Sequence, residues 1–124
     1  MKKILFTLLV MLSSLHAFEW IPYEEALIKA KEENKIVIVM LGRESCGVCT
    51  YMKKVVFQDK NILKKLNSKF IGVYVEIDFD DVPEGMTFIG TPTFYFLDKN
   101  ARTLLKFNGG KTAPSFSKAL DEVN

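Results

Sequence analysis

The chain has 124 residues, of which 48% are hydrophobic and 26% are charged, and its formal net charge is +2. This size and composition fit one globular domain with a single core, and they exclude disordered and collagen-like chains. The balanced charge gives no electrostatic support for a nucleic-acid partner, so we expect none.

The first 17 residues have the order of a secretory signal peptide. Lys2 and Lys3 form a charged start, residues 4–12 are almost entirely apolar, and a more polar segment of smaller residues ends at Ala17. The apolar run falls short of the roughly 20 residues that a membrane-spanning helix needs. We therefore expect cleavage after Ala17, a mature domain at residues 18–124, a periplasmic location and no stable membrane insertion. Because two of the 17 basic residues leave with the signal, the mature domain keeps 15 basic and 15 acidic residues and is formally neutral.

A helix and a buried strand are predicted at the start of the mature domain. Residues 22–31 begin with Pro22, carry glutamates in the first turn and lysines later, and are followed by the stop signal Asn34. Residues 36–41 are a continuous apolar run rich in β-branched side chains. A run without alternation predicts a strand buried on both faces, as in the centre of an α/β sheet.

Two helices and a second strand are predicted after the cysteines. Residues 48–57 carry Cys49, Met52 and Val56 on one stripe, which predicts a helix of about three turns. Asp59 is placed to cap another helix at residues 60–66. A further strand is predicted at residues 70–77.

The last third of the chain begins with a long connection at residues 78–90, whose length makes it a candidate for function. Its acidic residues lack the spacing of a calcium loop, so we interpret it as a solvated loop or helix cap. Residues 93–97 and 102–107 predict a β-hairpin, and a glycine turn leads to a final helix at residues 114–122. This order of elements predicts an α/β fold with a central mixed β-sheet flanked by helices on both faces.

Cys46 and Cys49, in the stretch ESCGVCT, are the only cysteines. A zinc site needs about four cysteine or histidine ligands. The one histidine, His16, leaves with the signal, so we expect no metal within one chain, and a cluster shared by two chains has no independent support. A structural disulfide here would close a tiny loop and gain little of the ~3 kcal/mol expected for a fifteen-residue loop. These limits favour a reactive dithiol.

The position of the pair also favours reactivity. Cys46 lies between a strand and the start of a helix, where free amide groups and the helix dipole lower the pKa of a thiol. Cys49 is one turn further on, on the inward face, and is suited to resolve a mixed disulfide rather than to start one. Gly47 leaves the backbone uncovered beside the attacking sulfur, and Val48 adds an apolar edge.

A second motif, Thr91-Pro92-Thr93, opens the predicted hairpin, and a proline there marks an edge position, a cis bond or a plain trans turn after Gly90. C-G-V-C at a helix start, followed by G-T-P-T, a hairpin, a glycine turn and a last helix, resembles the thioredoxin superfamily over essentially the whole mature chain. The stretches EEALIKAKEENKIVIV and VFQDKNI are most similar to the exported thioredoxin-like group that includes the C-terminal domain of the periplasmic disulfide-interchange reductase. The resemblance implies a cis Pro92 packed beside Cys46 and a Thr91 backbone that pairs with an extended substrate chain. It also implies that Cys46 is the nucleophile and Cys49 the resolving thiol.

Departures from that family bear on the direction of electron flow. Thioredoxins carry a buried acid six residues before the first cysteine, but this chain has Met40 there. Proton transfer at Cys49 then needs water or another acid, with Glu44 a weak candidate by its nearness in sequence. The Gly47-Val48 pair lacks the histidine of strongly oxidising relatives, whose potentials reach about −120 mV against about −270 mV for thioredoxin. The absence of a positive group favours the reducing direction.

The sequence therefore predicts a periplasmic thiol–disulfide oxidoreductase that reduces protein substrates. We expect a monomer without a cofactor beyond the redox-active Cys46–Cys49 pair, working with an upstream thiol redox protein as electron donor or acceptor. One alternative is a dithiol oxidase. Another is a non-catalytic module that holds extended polypeptide in a groove beside Pro92. Its supporting feature is the apolar content around Val48, Phe88, Ile89 and Phe94, although core burial is the commoner fate of such residues.

Overall fold

A computed structural model describes residues 16–123 of the chain. Most of the predicted signal peptide lies outside the described residues, and cleavage after Ala17 stays a prediction. The described part contains α1 (Tyr23–Glu33), β1 (Ile36–Gly42), α2 (Gly47–Lys54), α3 (Lys60–Lys69), β2 (Phe70–Glu76), β3 (Thr93–Leu97), β4 (Thr103–Asn108) and α4 (Ala113–Glu122), with a short 3-10 turn at Val56–Gln58.

The four strands form one mixed sheet in the order β2-β1-β3-β4. Strand β1 is parallel to β2, with Met40 opposite Tyr74, and antiparallel to β3. Its residues from Val37 to Leu41 are fully buried. A strand with neighbours on both edges and helices on both faces has no solvent-exposed face, which explains the continuous apolar sequence of β1. The predicted mixed α/β sheet is confirmed.

Helices cover both faces of the sheet, and each face has its own core. Helix α1 packs on one face through Ala26 and Ala30. On the other face, the cysteine helix α2 contributes Cys49 and Met52 to a cluster that also contains buried residues of α3 and α4, among them Phe116. The cysteine helix is therefore anchored in the core on the face of the sheet that also carries Ile38 and Met40 of β1.

Two of the helix boundary signals work as the sequence predicted. Asn34 ends α1 in the left-handed conformation, with φ of 53°, and its backbone N–H donates to the carbonyl of Ala30. The carboxylate of Asp59 accepts hydrogen bonds from the N–H groups of Asn61 and Ile62, at 2.9 and 3.1 Å. Both caps satisfy backbone groups that a helix end leaves unpaired.

The helix predicted at residues 48–57 is shorter than expected. It starts one residue earlier, at Gly47, and ends at Lys54, and the tighter turn at Val56–Gln58 replaces its last part. Val56 and Phe57 are both buried there, at 0% and 2% exposure. Neighbouring residues of one regular helix point about 100° apart, so the change of winding lets both side chains reach the core.

The segment before α1 forms an attachment that the sequence did not reveal. Trp20 makes a parallel bridge with Gly72 of β2, and the N–H of Ile21 donates to the Gly72 carbonyl at 2.9 Å. A side chain at Gly72 would collide with the rings of Phe18 and Trp20. The glycine thus lets an aromatic segment lie directly on the edge strand.

Within residues 16–123, no helix is long and apolar enough to cross a bilayer.

Candidate functional site

Cys46 and Cys49 are joined in a disulfide at the start of α2. Cys46 is the N-cap residue in an extended conformation, so its side chain turns back toward the first helical turn. Its Sγ accepts a hydrogen bond from the backbone N–H of Cys49 at 3.1 Å. Cys46 is partly exposed, whereas Cys49 is 1% exposed. The outer sulfur is therefore the accessible one, and it lies at the positive end of the helix.

The predicted second motif lies directly beside this sulfur. The peptide bond between Thr91 and Pro92 is cis. The carbonyl oxygen of Thr91 lies 3.5 Å from the Sγ of Cys46. Pro92 itself is buried, and Gly47 and Val48 are exposed at the start of α2. All the residues that the sequence placed in the site thus come from two adjoining segments.

Hydrogen bonds hold the segment around Pro92 in place. The Oγ1 of Thr93 lies 2.8 Å from the carbonyl oxygen of Gly90 and 3.0 Å from the Oδ1 of Asn108. The N–H of Gly109 donates to the Pro92 carbonyl at 2.7 Å. These contacts join the segment around Pro92 to the last residue of β4, Asn108, and to Gly109 after it.

Only part of the apolar groove predicted beside Pro92 is at the surface. Ile89 is 93% exposed, Val48 48% and Phe88 37%. Phe94, in contrast, is fully buried and packs against Phe57, Phe107 and Phe116. Phe94 belongs to the core cluster to which α2, α3 and α4 contribute, because β3 is an inner strand covered by these helices. The prediction that Phe94 lines the groove was therefore wrong.

Contacts with Arg43, Glu76 and Tyr95 hold the acidic connection at residues 78–90 in place. Asp78 pairs with Arg43 at 3.2 Å, and the carboxylate of Asp80 accepts from the N–H of Glu76 at 2.9 Å. The hydroxyl of Tyr95 accepts from the N–H of Thr87 at 2.8 Å. Within residues 16–123, no group of three or more His, Cys, Asp or Glu side chains is placed to hold a metal ion.

A polar cluster on the flank of α2 was missed by the sequence. The hydroxyl of Tyr74 donates to the Oε2 of Glu76 at 3.0 Å. The ammonium of Lys53 lies 3.5 Å from the centre of the Tyr74 ring. The sequence offers one signal for this cluster, since Tyr74 and Glu76 alternate with apolar residues on the strand that neighbours β1. Met40, opposite Tyr74, is fully buried.

The helix-terminal cysteine pair beside a cis proline, carried by a mixed sheet with helices on both faces, defines a thioredoxin-fold protein with a CxxC redox pair. Comparison with protein families agrees, because the family model described as a thioredoxin-like domain matches residues 23–124. The chain belongs to this family. The fold and the pair together support thiol–disulfide oxidoreductase chemistry in general.

Solved structures show the same architecture. A thioredoxin from Thermus thermophilus is 29% identical, with a TM-score of 0.72 over 87% of this chain and 88% of that one. The DsbH oxidoreductase is 20% identical, with a TM-score of 0.69 over 87% and 85% of the two chains. The C-terminal domain of DsbD from Neisseria meningitidis is 16% identical, with a TM-score of 0.63 over 82% and 93%. The last two likenesses concern the fold alone.

Similar sequences include spermatogenesis-associated protein 20 of several mammals. The human protein is 31% identical over 114 residues, which is 80% of this chain and 14% of the human protein. The mouse protein is 38% identical over 65 residues, or 49% of this chain and 8% of the mouse protein. This chain thus spans a small part of the length of these relatives.

Proposed function

We propose that this protein is a periplasmic thiol–disulfide oxidoreductase that reduces disulfides in protein substrates. The observation that carries the proposal is the placement of the Cys46 sulfur. It caps α2, accepts the N–H of Cys49 at 3.1 Å and lies 3.5 Å from the Thr91 carbonyl. A thiolate at this position is stabilised by a hydrogen bond and by the helix dipole, which makes it available as a nucleophile.

The reaction follows from the different exposure of the two sulfurs. In the reduced protein, the Cys46 thiolate attacks one sulfur of a substrate disulfide, and the other substrate sulfur leaves as a thiolate. Cys49 then loses its proton and attacks the Cys46 sulfur, which breaks the mixed disulfide and releases the second substrate thiolate. Two electrons have passed to the substrate, and Cys46–Cys49 is again a disulfide. An upstream thiol protein then reduces the pair.

The substrate is best understood as an extended polypeptide. The backbone of Thr91 is available beside Cys46 for strand-like pairing, and such pairing gives affinity without requiring a sequence. The exposed side chains of Val48, two residues after Cys46, and Ile89, two residues before Thr91, offer apolar contact. A non-catalytic module that only holds polypeptide would use the same surface, so trapping experiments are needed to separate the two.

The reducing direction rests on how the nearby cations are engaged. A strong oxidant needs extra stabilisation of its thiolate, and Gly47-Val48 supplies no charge. Arg43, three residues before Cys46, pairs with Asp78 at 3.2 Å. Lys111, in the turn beside α2, lies 4.6 Å from the centre of the Phe107 ring. We therefore expect a reduction potential near that of thioredoxin, about −270 mV, and a value near about −120 mV would support the oxidase instead.

The activity is tested by substituting each cysteine separately in the mature protein. In an insulin-reduction assay, Cys46→Ser loses all turnover, because the attacking sulfur is gone. Cys49→Ser also stops turning over, but it accumulates covalent mixed disulfides through Cys46 that dithiothreitol releases. Unchanged turnover in Cys46→Ser refutes the proposal. Retained partners without a covalent link in Cys49→Ser identify a binding module.

A further inference from the structure

The resolving cysteine lies in an environment that opposes its ionisation. Cys49 is 1% exposed and belongs to the core cluster that contains Met40 and Met52. Burial among apolar side chains disfavours the thiolate form, yet resolution of a mixed disulfide requires that thiolate. Met40 supplies no carboxylate. A proton acceptor for Cys49 must therefore come from elsewhere in the fold.

The polar cluster of Lys53, Tyr74 and Glu76 lies next to this part of the core. Lys53 follows Cys49 by four residues on α2, so both side chains project from the same side of the helix, one turn apart. The Lys53 ammonium is 3.5 Å from the centre of the Tyr74 ring, and Tyr74 packs against the core cluster of Cys49. The ring therefore lies against the end of the Lys53 side chain, which leaves α2 one turn after the buried cysteine.

Gly42 makes room for this arrangement. A side-chain carbon at Gly42 would lie 2.8 Å from the Cε2 and 2.9 Å from the hydroxyl oxygen of Tyr74. Gly42 is paired with Glu76 in the sheet and lies two residues after Met40, on the same face. The space that a side chain at Gly42 would fill is thus occupied by the phenol of Tyr74, which hydrogen-bonds to the carboxylate of Glu76.

Glu76 has one engaged and one unengaged oxygen. Its Oε2 accepts the Tyr74 hydroxyl at 3.0 Å. Its Oε1 is buried and has no hydrogen-bond partner in the described residues. Buried carboxylate oxygens are normally paired, and an exception calls for an explanation. One explanation is that Oε1 stays unpaired in order to accept a proton. This explanation also supplies the proton acceptor that Cys49 requires.

We infer that Glu76 is the proton acceptor of Cys49 and that Tyr74 is the positioning residue that holds it, an inference that rests on the proposed oxidoreductase function. In the resolving step the S–H bond of Cys49 breaks and its proton passes to Oε1, directly or through one water molecule. The sulfur attacks Cys46, the bond to the substrate sulfur breaks, and the electron pair leaves with the substrate thiolate. The proton later passes from Glu76 to solvent.

Burial and the charges around the cluster act on the pKa values of Tyr74 and Lys53. Burial, followed by the hydrogen bond and charge of Glu76, raises the pKa of Tyr74 well above its ordinary value, and the charges of Asp80 and Glu44 add to this. Tyr74 therefore remains a donor over the working range. Burial lowers the pKa of Lys53, and the charges of Glu76 and Glu44 oppose that change.

The test separates the two steps of the dithiol reaction. Reduced protein is mixed with dithiobis-nitrobenzoate in a stopped-flow instrument. Attack by Cys46 releases the first thionitrobenzoate, and resolution by Cys49 releases the second. In Glu76→Gln the first phase keeps its rate. The second slows about tenfold or more at neutral pH, because general base catalysis is lost. The deficit shrinks at high pH, where Cys49 ionises without help.

Two further variants complete the design. Tyr74→Phe keeps the ring but leaves Glu76 unheld, so it slows the second phase less than Glu76→Gln does. Glu25→Gln removes an exposed acid of α1, which packs on the other face of the sheet, and leaves both phases unchanged. A Glu76→Gln protein with a normal second phase, or with both phases slowed equally at every pH, overturns the inference. A wild-type protein without two phases and without insulin turnover overturns the proposed function instead.

Discussion

Gly110 brings the turn before α4 against the first turn of the cysteine helix. A side-chain carbon at Gly110 would lie 2.5 Å from the Cγ1 of Val48 and 3.4 Å from the Sδ of Met52. The next residue, Lys111, donates its N–H to the same Sδ at 3.4 Å. The N–H of Gly109, the residue before Gly110, donates to the Pro92 carbonyl. The turn therefore connects the segment around Pro92 to α2. Its closeness to α2 depends on the missing side chain.

We expect Gly110→Ala to lower the free energy of unfolding by about 1–3 kcal/mol, since the new methyl group overlaps Val48. Val48→Ala removes the overlapping carbon and costs little alone, because Val48 is half exposed. The double variant should therefore recover much of the loss. Urea denaturation of the four proteins gives the coupling between the sites. Strictly additive effects would show that the overlap is not the cause.

Among single residues, the sequence indicated those whose side-chain type alone suggests a function. Cys46 and Cys49 stood out because two thiols at this spacing have few alternative uses, and Thr91-Pro92 because a proline opens a strand. Tyr74 and Glu76 did not stand out. Their chemistry depends on register with β1 and on the close approach of Tyr74 to Gly42, and neither is visible before the strands are paired.

Among the secondary-structure elements, the turn of the β3–β4 hairpin is organised by one carboxylate. The Oδ1 of Asp98 accepts from the N–H groups of Asn100 and Arg102, at 2.8 and 2.9 Å. The hydrogen bond from Arg102 and then that from Asn100 hold the pKa of Asp98 below its ordinary value, although partial desolvation opposes them. The ionised form of Asp98 is thus more stable in the folded protein than in the unfolded chain.

This lowered pKa gives the expected pH dependence a definite sign. The contribution of Asp98 to stability is present above the ordinary pKa of an aspartate and is lost as the pH falls through the folded value. Asp98→Ala should therefore unfold at a lower temperature than the wild type at neutral pH, with the gap closing in acid. Thermal unfolding over a pH series measures this, with Asp81→Ala, another exposed acid, as the control. A gap that stays constant with pH would contradict it.

The boundaries of elements were predicted less well than their existence. The apolar stripe of α2 correctly placed Cys49, Met52 and Val56 inward, but its period did not reveal that the helix ends at Lys54. The burial of Phe57 beside Val56 decides that boundary, and it depends on rings contributed by α4 and β3. A tertiary contact overrides the local pattern there.

For the whole molecule, the sequence predicted the class of sheet but not its strand order. The long apolar run of β1 indicated a central strand, and the hairpin followed from two strands with a turn between them. That β1 lies between β2 and β3 depends on a crossover through α2 and α3, which local patterns do not encode. The attachment of Phe18 and Trp20 to Gly72 was missed for the same reason.

The alkaline stability of the whole molecule should depend on Tyr74. Its pKa is raised in the folded protein, chiefly by burial and then by Glu76, while the unfolded chain releases the proton near the ordinary value of about 10. Because the folded pKa is raised, the stabilising contribution of Tyr74 is complete below the pKa of the unfolded chain. It is lost as the pH rises from that value through the folded pKa. Stability should therefore fall above about pH 10.

Tyr74→Phe removes this titrating group and keeps the ring over which Lys53 lies. The variant should start less stable at neutral pH, because Glu76 loses its donor, but its stability should fall less steeply above about pH 10. Urea denaturation at several alkaline pH values compares the two slopes. Tyr51→Phe is the matched control, since Tyr51 is exposed and should leave the slope unchanged. Equal slopes in wild type and Tyr74→Phe would mean that Tyr74 loses its proton as readily in the folded protein as in the unfolded chain.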